Sequence, residues 1–497
     1  MTGIKFSKKS FGLLLGIFLF LLVVIFFDFE SGNPNVTFTA AVALLMSTLW
    51  ITEAIPLAVT SLIPLVLFPL FGILSGKATA NAYINSTIFL FMGGFIIAIA
   101  MEKWNLHRRI AINLISFFGV KPQKLILGFM IAAAFISMWI SNTATAVMLL
   151  PIAMSILAKV DEKANGKGDR RFAVALMLGI AYSCSVGGIS TLIGTPPNLV
   201  FQRIYSITFP DKPEIIFSQW MIYGIPLSIS MLLIIWILLT KILYRFKNES
   251  IIDPEVIKTE KRNLGKMSRE EKSVAIVFVA TALLWMFRKN IEIGAFSLPG
   301  WSSLLPFPGL VDDGTVAIMT SLLLFIIPAK NNSDESNGNN AILSLAAFRK
   351  IPWEIILLFG GGFALAGGFV SSGLSKYLGG QLAGLSGVHP LIIIFMVCLA
   401  ITFITELTSN TAINDMMLPI LASLAITINI EPMLLMIPAT ISASMAFMMP
   451  VATPPNAIVF GSGKLHVKDM ARAGIILNLI GSVLISLFSY YFIGIIF

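Results

Sequence analysis

Apolar runs long enough to cross a bilayer recur from one end of the chain to the other, and few folds can be built from them. A helix needs about 20 such residues to traverse a hydrocarbon core about 30 Å thick. Candidate spans fall at 11–28, 37–52, 54–74, 87–102, 172–202, 219–243, 273–287, 314–328, 353–371, 432–460 and 473–497, about 11 crossings in all. Only 12% of the 497 residues are charged and 57% are hydrophobic, with a mean hydropathy of +0.90. A water-soluble domain carries about 25% charge, so water cannot be the solvent of this fold. The expected class is an all-α polytopic membrane protein. Lys5, Lys8 and Lys9 precede the first span, but no small-residue cleavage site follows it, so it reads as an uncleaved helix.

Two further apolar stretches, 125–158 and 389–427, are each interrupted by Ser-Asn-Thr, which leaves arms of about 16 to 18 residues. Such arms are short for full spans, and both stretches read as re-entrant hairpins. Irregular backbone at membrane depth is tolerated where protein or a cavity surrounds it. With the N-terminus inside, 28 of the 34 Lys and Arg residues fall in inside segments and 6 outside. That asymmetry supports an inner (plasma) membrane protein, in a bacterial setting, with its N-terminus cytoplasmic and its C-terminus outside. It also accounts for the net charge of +9 without nucleic acid. The polar stretches 245–271 and 330–340 read as cytoplasmic loops too short to fold alone.

The chain repeats itself. SNTATAVMLLPI at 141–152 returns as SNTAINDMMLPI at 409–420, and FMGGF at 91–95 returns as FGGGF at 359–363, both shifted by 268. GTPPN at 194–198 returns as ATPPN at 452–456, shifted by 258. Five crossings, an odd number, separate the two Ser-Asn-Thr tips, so the second copy is expected inverted in the membrane. Inverted repeats with broken helices near the midplane mark secondary transporters. A silent old duplication would not explain why the matched blocks are the polar, helix-breaking ones.

Ser141-Asn142-Thr143 and Ser409-Asn410-Thr411 stand just before helical arms, where such residues cap helix starts and leave free N–H donors. That arrangement suits an oxyanion without a buried Arg or Lys. Thr195-Pro196-Pro197-Asn198 and Thr453-Pro454-Pro455-Asn456 repeat it, because paired prolines break a span and free upstream carbonyls. Freed carbonyls and Ser or Asn oxygens also suit a hard monovalent cation such as Na⁺. None of the four blocks contains an ionisable residue, so a dianion there needs compensating charge. Co-bound cations supply it.

At these residues the sequence resembles the divalent anion/sodium symporter family, the INDY-type transporters. The paired Ser-Asn-Thr blocks, the Thr-Pro-Pro-Asn blocks and WITEAIPLAVTSLIPLVLFPLFGI at 50–73 carry the match over essentially the whole chain. The resemblance implies a homodimer with a scaffold and an elevator-like transport domain that moves C4-dicarboxylates, citrate or sulfate, commonly with Na⁺. Mapped here, scaffold falls at 1–121 and 273–388, transport domain at 122–244 and 389–497, and a cytoplasmic linker at 245–272. By the same resemblance one Na⁺ site uses Ser137, Ser141, Asn142 and the Gly194 carbonyl. Its mate uses Thr405, Ser409, Asn410 and the Ala452 carbonyl. Substrate carboxylates then meet Asn142, Thr143, Thr195, Asn410, Thr411, Thr453 and Pro454. The substrate is expected to be of the succinate, malate and fumarate class, with Na⁺-independent exchange or sulfate transport as alternatives.

Asp415 departs from that pattern, since an apolar or small residue is expected there. It either tunes cation binding or carries a proton, or else faces a water-filled crevice or caps a neighbouring helix. Glu53 and Glu406 are candidate cation ligands or helix-end orienters. Amphipathic stretches near 103–120 and 372–388 are expected to lie along the interface. Two cysteines, Cys184 and Cys398, and three histidines offer neither a disulfide framework nor a transition-metal cluster. The chain lacks paired catalytic carboxylates and a phosphate-binding loop, so it is not expected to be an enzyme or a primary pump. A channel is the rival from another class, because neutral helix-breaking blocks also line pores.

Overall fold

The computed structural model describes residues 8–163, 169–246, 254–293, 296–330 and 340–497. In the first half, α1 (Lys8–Phe26) and α2 (Pro34–Thr52) pack together and lead into a broken pair, α3 (Leu57–Thr60) and α4 (Ile63–Leu70). Then come α5 (Gly76–Asn81), α6 (Ser86–Lys103) and the amphipathic arm α7 (Leu106–Phe118). The first hairpin is α8 (Pro122–Ser137) and α9 (Asn142–Lys163). It is followed by α10 (Arg170–Gly188), α11 (Pro196–Thr208) and α12 (Phe217–Ile237). After α13 (Pro254–Asn263) the order recurs with α14 (Arg269–Met286), α15 (Asp313–Ile326), α16 (Trp353–Ser372) and the arm α17 (Leu374–Gln381). The second hairpin, α18 (Pro390–Ile404) and α19 (Asn410–Thr427), precedes α20 (Met433–Ala443), α21 (Pro454–Phe460) and α22 (Val467–Ile496).

Local chemistry sets these starts. Pro34, Pro122, Pro196, Pro390 and Pro454 each occupy a first turn, where a missing N–H breaks no helical bond. Asn85, Ser268 and Asp312 cap α6, α14 and α15 by accepting from backbone N–H groups. Packing then gathers a large apolar core around Phe129, Tyr182, Phe201, Trp220 and Phe359. A smaller core joins α2, α4 and α16 through Trp50, Phe68 and Phe369. Outward-facing Phe11, Phe18, Ile25 and Phe26 leave α1 apolar on its exposed side, as a lipid-facing helix must be.

Among the described residues, eight helical stretches are long and apolar enough to cross a membrane unaided. One of the eight is the hairpin arm α9, and the expected crossings 54–74, 273–287, 314–328 and 432–460 are not among them. The 54–74 run is interrupted at Ser61–Leu62, with Pro64 inside the first turn of α4. The 172–202 and 432–460 runs each divide into a longer helix, an irregular segment and a shorter helix at the Thr-Pro-Pro-Asn blocks. α14 opens on Arg269, Glu270 and Glu271, and α15 has only 14 residues. The hairpin arm α9 has 22 residues, more than expected, because its helix continues past the apolar run through Lys159, Asp161, Glu162 and Lys163. One unexpected element is a short antiparallel strand pair, Ile291–Ile293 with Phe296–Leu298, between α14 and α15. Three residues a side are too few for a periodicity to be read. Most of the 330–340 loop, part of the 245–271 loop and the expected inside lysines Lys5, Lys167 and Lys247 lie outside the described residues.

Candidate functional site

The Ser-Asn-Thr blocks stand at the tips of the two hairpins, and the Thr-Pro-Pro-Asn blocks stand where α11 and α21 begin. All four blocks converge on one cavity of about 420 Å³, a volume in the range of small-molecule sites. Its wall includes Asn142, Thr143, Thr195, Asn410, Thr411, Thr453 and Pro454, the seven positions expected to meet substrate. Ser141, Gly194, Ser409 and Ala452, from the two expected cation sets, line it as well. Ser137 and Thr405 lie behind the wall, both fully buried.

The first tip is closed by a hydrogen bond from the Ser137 hydroxyl to Asn142 Oδ1. Ser141 Oγ accepts from the Ala144 N–H at 3.2 Å, capping α9. A methyl group placed on Gly188 would lie 3.0 Å from both Asn142 Oδ1 and the Gly194 carbonyl oxygen, so glycine allows these two oxygens to close in. At the second tip the Thr405 hydroxyl lies 2.6 Å from Asn410 Oδ1 and 2.9 Å from the Ala443 carbonyl. Ser409 Oγ there caps α19 through the Ala412 N–H at 3.5 Å.

The two irregular segments are braced alike. Asn198 donates its amide to the carbonyls of Gly188 and Thr191, at 3.1 and 2.7 Å. Asn456 donates to those of Ala446 and Met449, at 3.0 and 3.1 Å. These four carbonyls match one another at the shift of 258. The Oδ1 atoms of both asparagines are buried and make no hydrogen bond. The repeated Thr-Pro-Pro-Asn blocks carried the signal for this pair, since an Asn ends both.

Glu406, expected as a cation ligand or an orienter, takes the second part. Its carboxylate accepts from the backbone N–H groups of Phe447, Met448 and Met449 and from the Asn478 side chain, at 2.7 to 3.0 Å. Glu53 closes the end of α2 in a left-handed conformation, φ 47°, and lines the cavity. It is the one ionisable residue of that wall. Asp415 neither faces a water-filled crevice nor caps a neighbouring helix, for it lines no part of the cavity, makes no hydrogen bond through its carboxyl and is fully buried. Asn414, which the sequence did not flag, donates to the Pro197 carbonyl at 2.8 Å and so ties the second hairpin to the first broken helix.

Such a wall offers neutral hydroxyl, amide and carbonyl oxygens, the donors that hard cations take. The starts of α9 and α19 open onto the same space and add N–H donors with partial positive charge. Among the described residues no cluster of three His, Cys, Asp or Glu side chains is placed to hold a metal ion. The family model described as the sodium:sulfate symporter transmembrane region matches residues 7–497.

The chain belongs to that family. Members of the sodium:sulfate symporter family are membrane transporters, and this chain is a multi-pass transporter, not an enzyme. The chain is 42% identical over 487 residues to a protein named sodium-dependent dicarboxylate transporter SdcS, from Staphylococcus saprophyticus, covering 97% of this chain and 91% of that one. An SdcS of Staphylococcus aureus is 43% identical over 501 residues, covering 99% and 93%. In fold it is similar to Neisseria gonorrhoeae MtrF, with a TM-score of 0.57, 13% identity and coverage of 98% and 96%. The Alcanivorax borkumensis YdaH transporter has the same TM-score at 14% identity, covering 85% and 88%. At those identities the likeness is one of architecture.

Proposed function

We propose that this transporter moves C4-dicarboxylates across the bacterial plasma membrane, driven by Na⁺ moving in the same direction. The observation that carries the reading is one cavity onto which two symmetry-matched oxygen sets and several helix starts open, with no Lys or Arg in its wall. A dianion in such a wall is costly, and two bound cations together with helix N–H groups offset that cost. The names of the relatives from Staphylococcus, aligned over almost the full chain, support Na⁺ and a dicarboxylate as the pair.

In this reading Ser137, Ser141, Asn142 and the Gly194 carbonyl hold one Na⁺, and Thr405, Ser409, Asn410 and the Ala452 carbonyl hold the other. Thr143, Thr195, Thr411 and Thr453 orient the carboxylates, with Pro454 packed beside them, and Asn142 and Asn410 reach them from their second amide atoms. Segments 122–244 and 389–497 move as the transport body past a scaffold of 1–121 and 273–388, in a homodimer with N-terminus inside and C-terminus outside. Alternating exposure of one central site, not an open pore, follows from an inverted repeat.

The test is succinate uptake into proteoliposomes with empty interiors, under an inward Na⁺ gradient or with K⁺ replacing Na⁺. Accumulation above the external concentration with Na⁺ alone is the expected result. Uptake only into vesicles preloaded with dicarboxylate, indifferent to Na⁺, would make the protein an exchanger and overturn the cation sites. Uptake of sulfate in preference to succinate would overturn the substrate.

A further inference from the structure

Where this chain buries a carboxylate, it supplies donors. Glu406 receives three backbone N–H groups and an amide. Asp313 receives the Arg288 guanidinium at 2.5 Å and the Phe217 N–H at 3.3 Å. Glu271 receives Arg109. Asp415 is the exception among the described residues, fully buried with neither carboxyl oxygen hydrogen-bonded. Its carboxyl rests on the backbone of Gly362 in α16, close enough that a methyl group at Gly362 would overlap it.

No charge reaches it from the helices packed on α19. α2 and α20 contain no ionisable side chain. α16 carries Glu354, two turns before Gly362; α11 carries Arg203 and Tyr205; α17 carries Lys376 and Tyr377. None of these is within ion-pair or hydrogen-bond distance of Asp415. Tyr83, packed against Gly360, donates its hydroxyl to the Ser61 carbonyl. An ionised carboxylate in this setting would lack every compensation that the other buried acids receive.

We propose that Asp415 is a proton-binding site, neutral while α19 lies on α16 and ionised when the two helices separate. This rests on the reading above, in which α19 belongs to the moving body and α16 to the scaffold. On separation the carboxyl O–H bond breaks, the proton passes to water in the opened crevice, and the reverse transfer must precede repacking. The proton is thus a further ion linked to the cycle, at a position distinct from both oxygen sets.

The experiment is the pH profile of Na⁺-driven succinate uptake from pH 7 to 9, where the substrate stays a dianion, for wild type and Asp415→Asn. The wild-type rate is expected to fall at least about threefold across that range as repacking waits for a proton. The Asn variant, which cannot ionise, is expected to be flat. A flat wild-type profile overturns the proposal, and so does an equal fall in both proteins. If Asp415→Asn does not insert, Asp415→Glu decides, since a displaced midpoint supports the site and an unchanged profile overturns it. A protein that takes up no succinate at any pH sinks the substrate reading instead. The same comparison is then made on the purified proteins' melting temperatures, where a steeper loss with rising pH in wild type supports the site and equal slopes overturn it.

Discussion

The two halves of the molecule place the same oxygens around the cavity but support them differently. Thr405 matches Ser137, Asn410 matches Asn142, and Asn456 braces its segment as Asn198 does. The next residue breaks the match, for the position of Met138 in the first half is Glu406 in the second. In the first half a single hydroxyl, that of Thr191, donates to the Met138 carbonyl at 2.6 Å. In the second, one carboxylate gathers three consecutive N–H groups and an amide from α22. Exposure follows the same division, with Ser141 and Thr143 exposed while Ser409 is half-buried and Thr411 buried. The oxygens facing the cavity are therefore matched across the repeat, whereas the hydrogen bonding and burial behind them are not.

The sharpest way to test that contrast is Glu406→Ala against Met138→Ala. The first leaves several buried N–H groups without an acceptor, each costing about 1–3 kcal/mol, and folded protein should fall steeply or fail to accumulate. The second removes a half-buried thioether and should cost about 1–2 kcal/mol. Thermal unfolding in detergent reads both, and equal losses would break the comparison. Next in size, Asn142→Ala and Asn410→Ala should each lower Na⁺-driven uptake by about 100-fold or more, with normal insertion. A near-wild-type rate from either would show that only one tip binds.

Asn198→Ala and Asn456→Ala should be matched, because each removes two hydrogen bonds to freed carbonyls. A loss of about 2 kcal/mol apiece is expected from unfolding midpoints, and a difference well beyond 1 kcal/mol would mean that the braces are unlike. Smallest is the pair at the helix starts. Thr453 Oγ1 accepts from the Asn456 N–H at 3.4 Å, whereas Thr195 makes no such cap. Thr453→Ala should cost about 1 kcal/mol in stability and Thr195→Ala less, although both face the cavity.

The membrane class, the hairpin tips and the broken helices were legible because each is written in contiguous residues. Apolar length predicts spans, and Pro-Pro or Ser-Asn-Thr predicts an interruption wherever it falls. All the positions assigned to substrate line the cavity, since a repeat that preserves its polar blocks carries them to one place. What escaped was long-range. Glu406 was legible as an orienter, but its partners lie 41 to 72 residues away, and Asn414 reaches back to Pro197. The split at Ser61–Leu62 was hidden inside an apolar run, where hydropathy is blind to backbone geometry. That Asp415 lacks any partner is likewise a fact of packing, invisible at its own position.

The centre of α16 has a consequence of its own. Gly360, Gly361 and Gly362 are pressed in turn against the Tyr83 ring, the Ser61 backbone and the Asp415 carboxyl. Each glycine costs a helix roughly 0.5–1 kcal/mol relative to alanine, so this stretch stays helical because its neighbours hold it. Take one neighbour away and the local opening energy drops where the helix is intrinsically weakest. Amide hydrogens of residues 360–365 should then exchange with solvent far sooner than those at either end, making this glycine triplet the point at which a straight helix gives way.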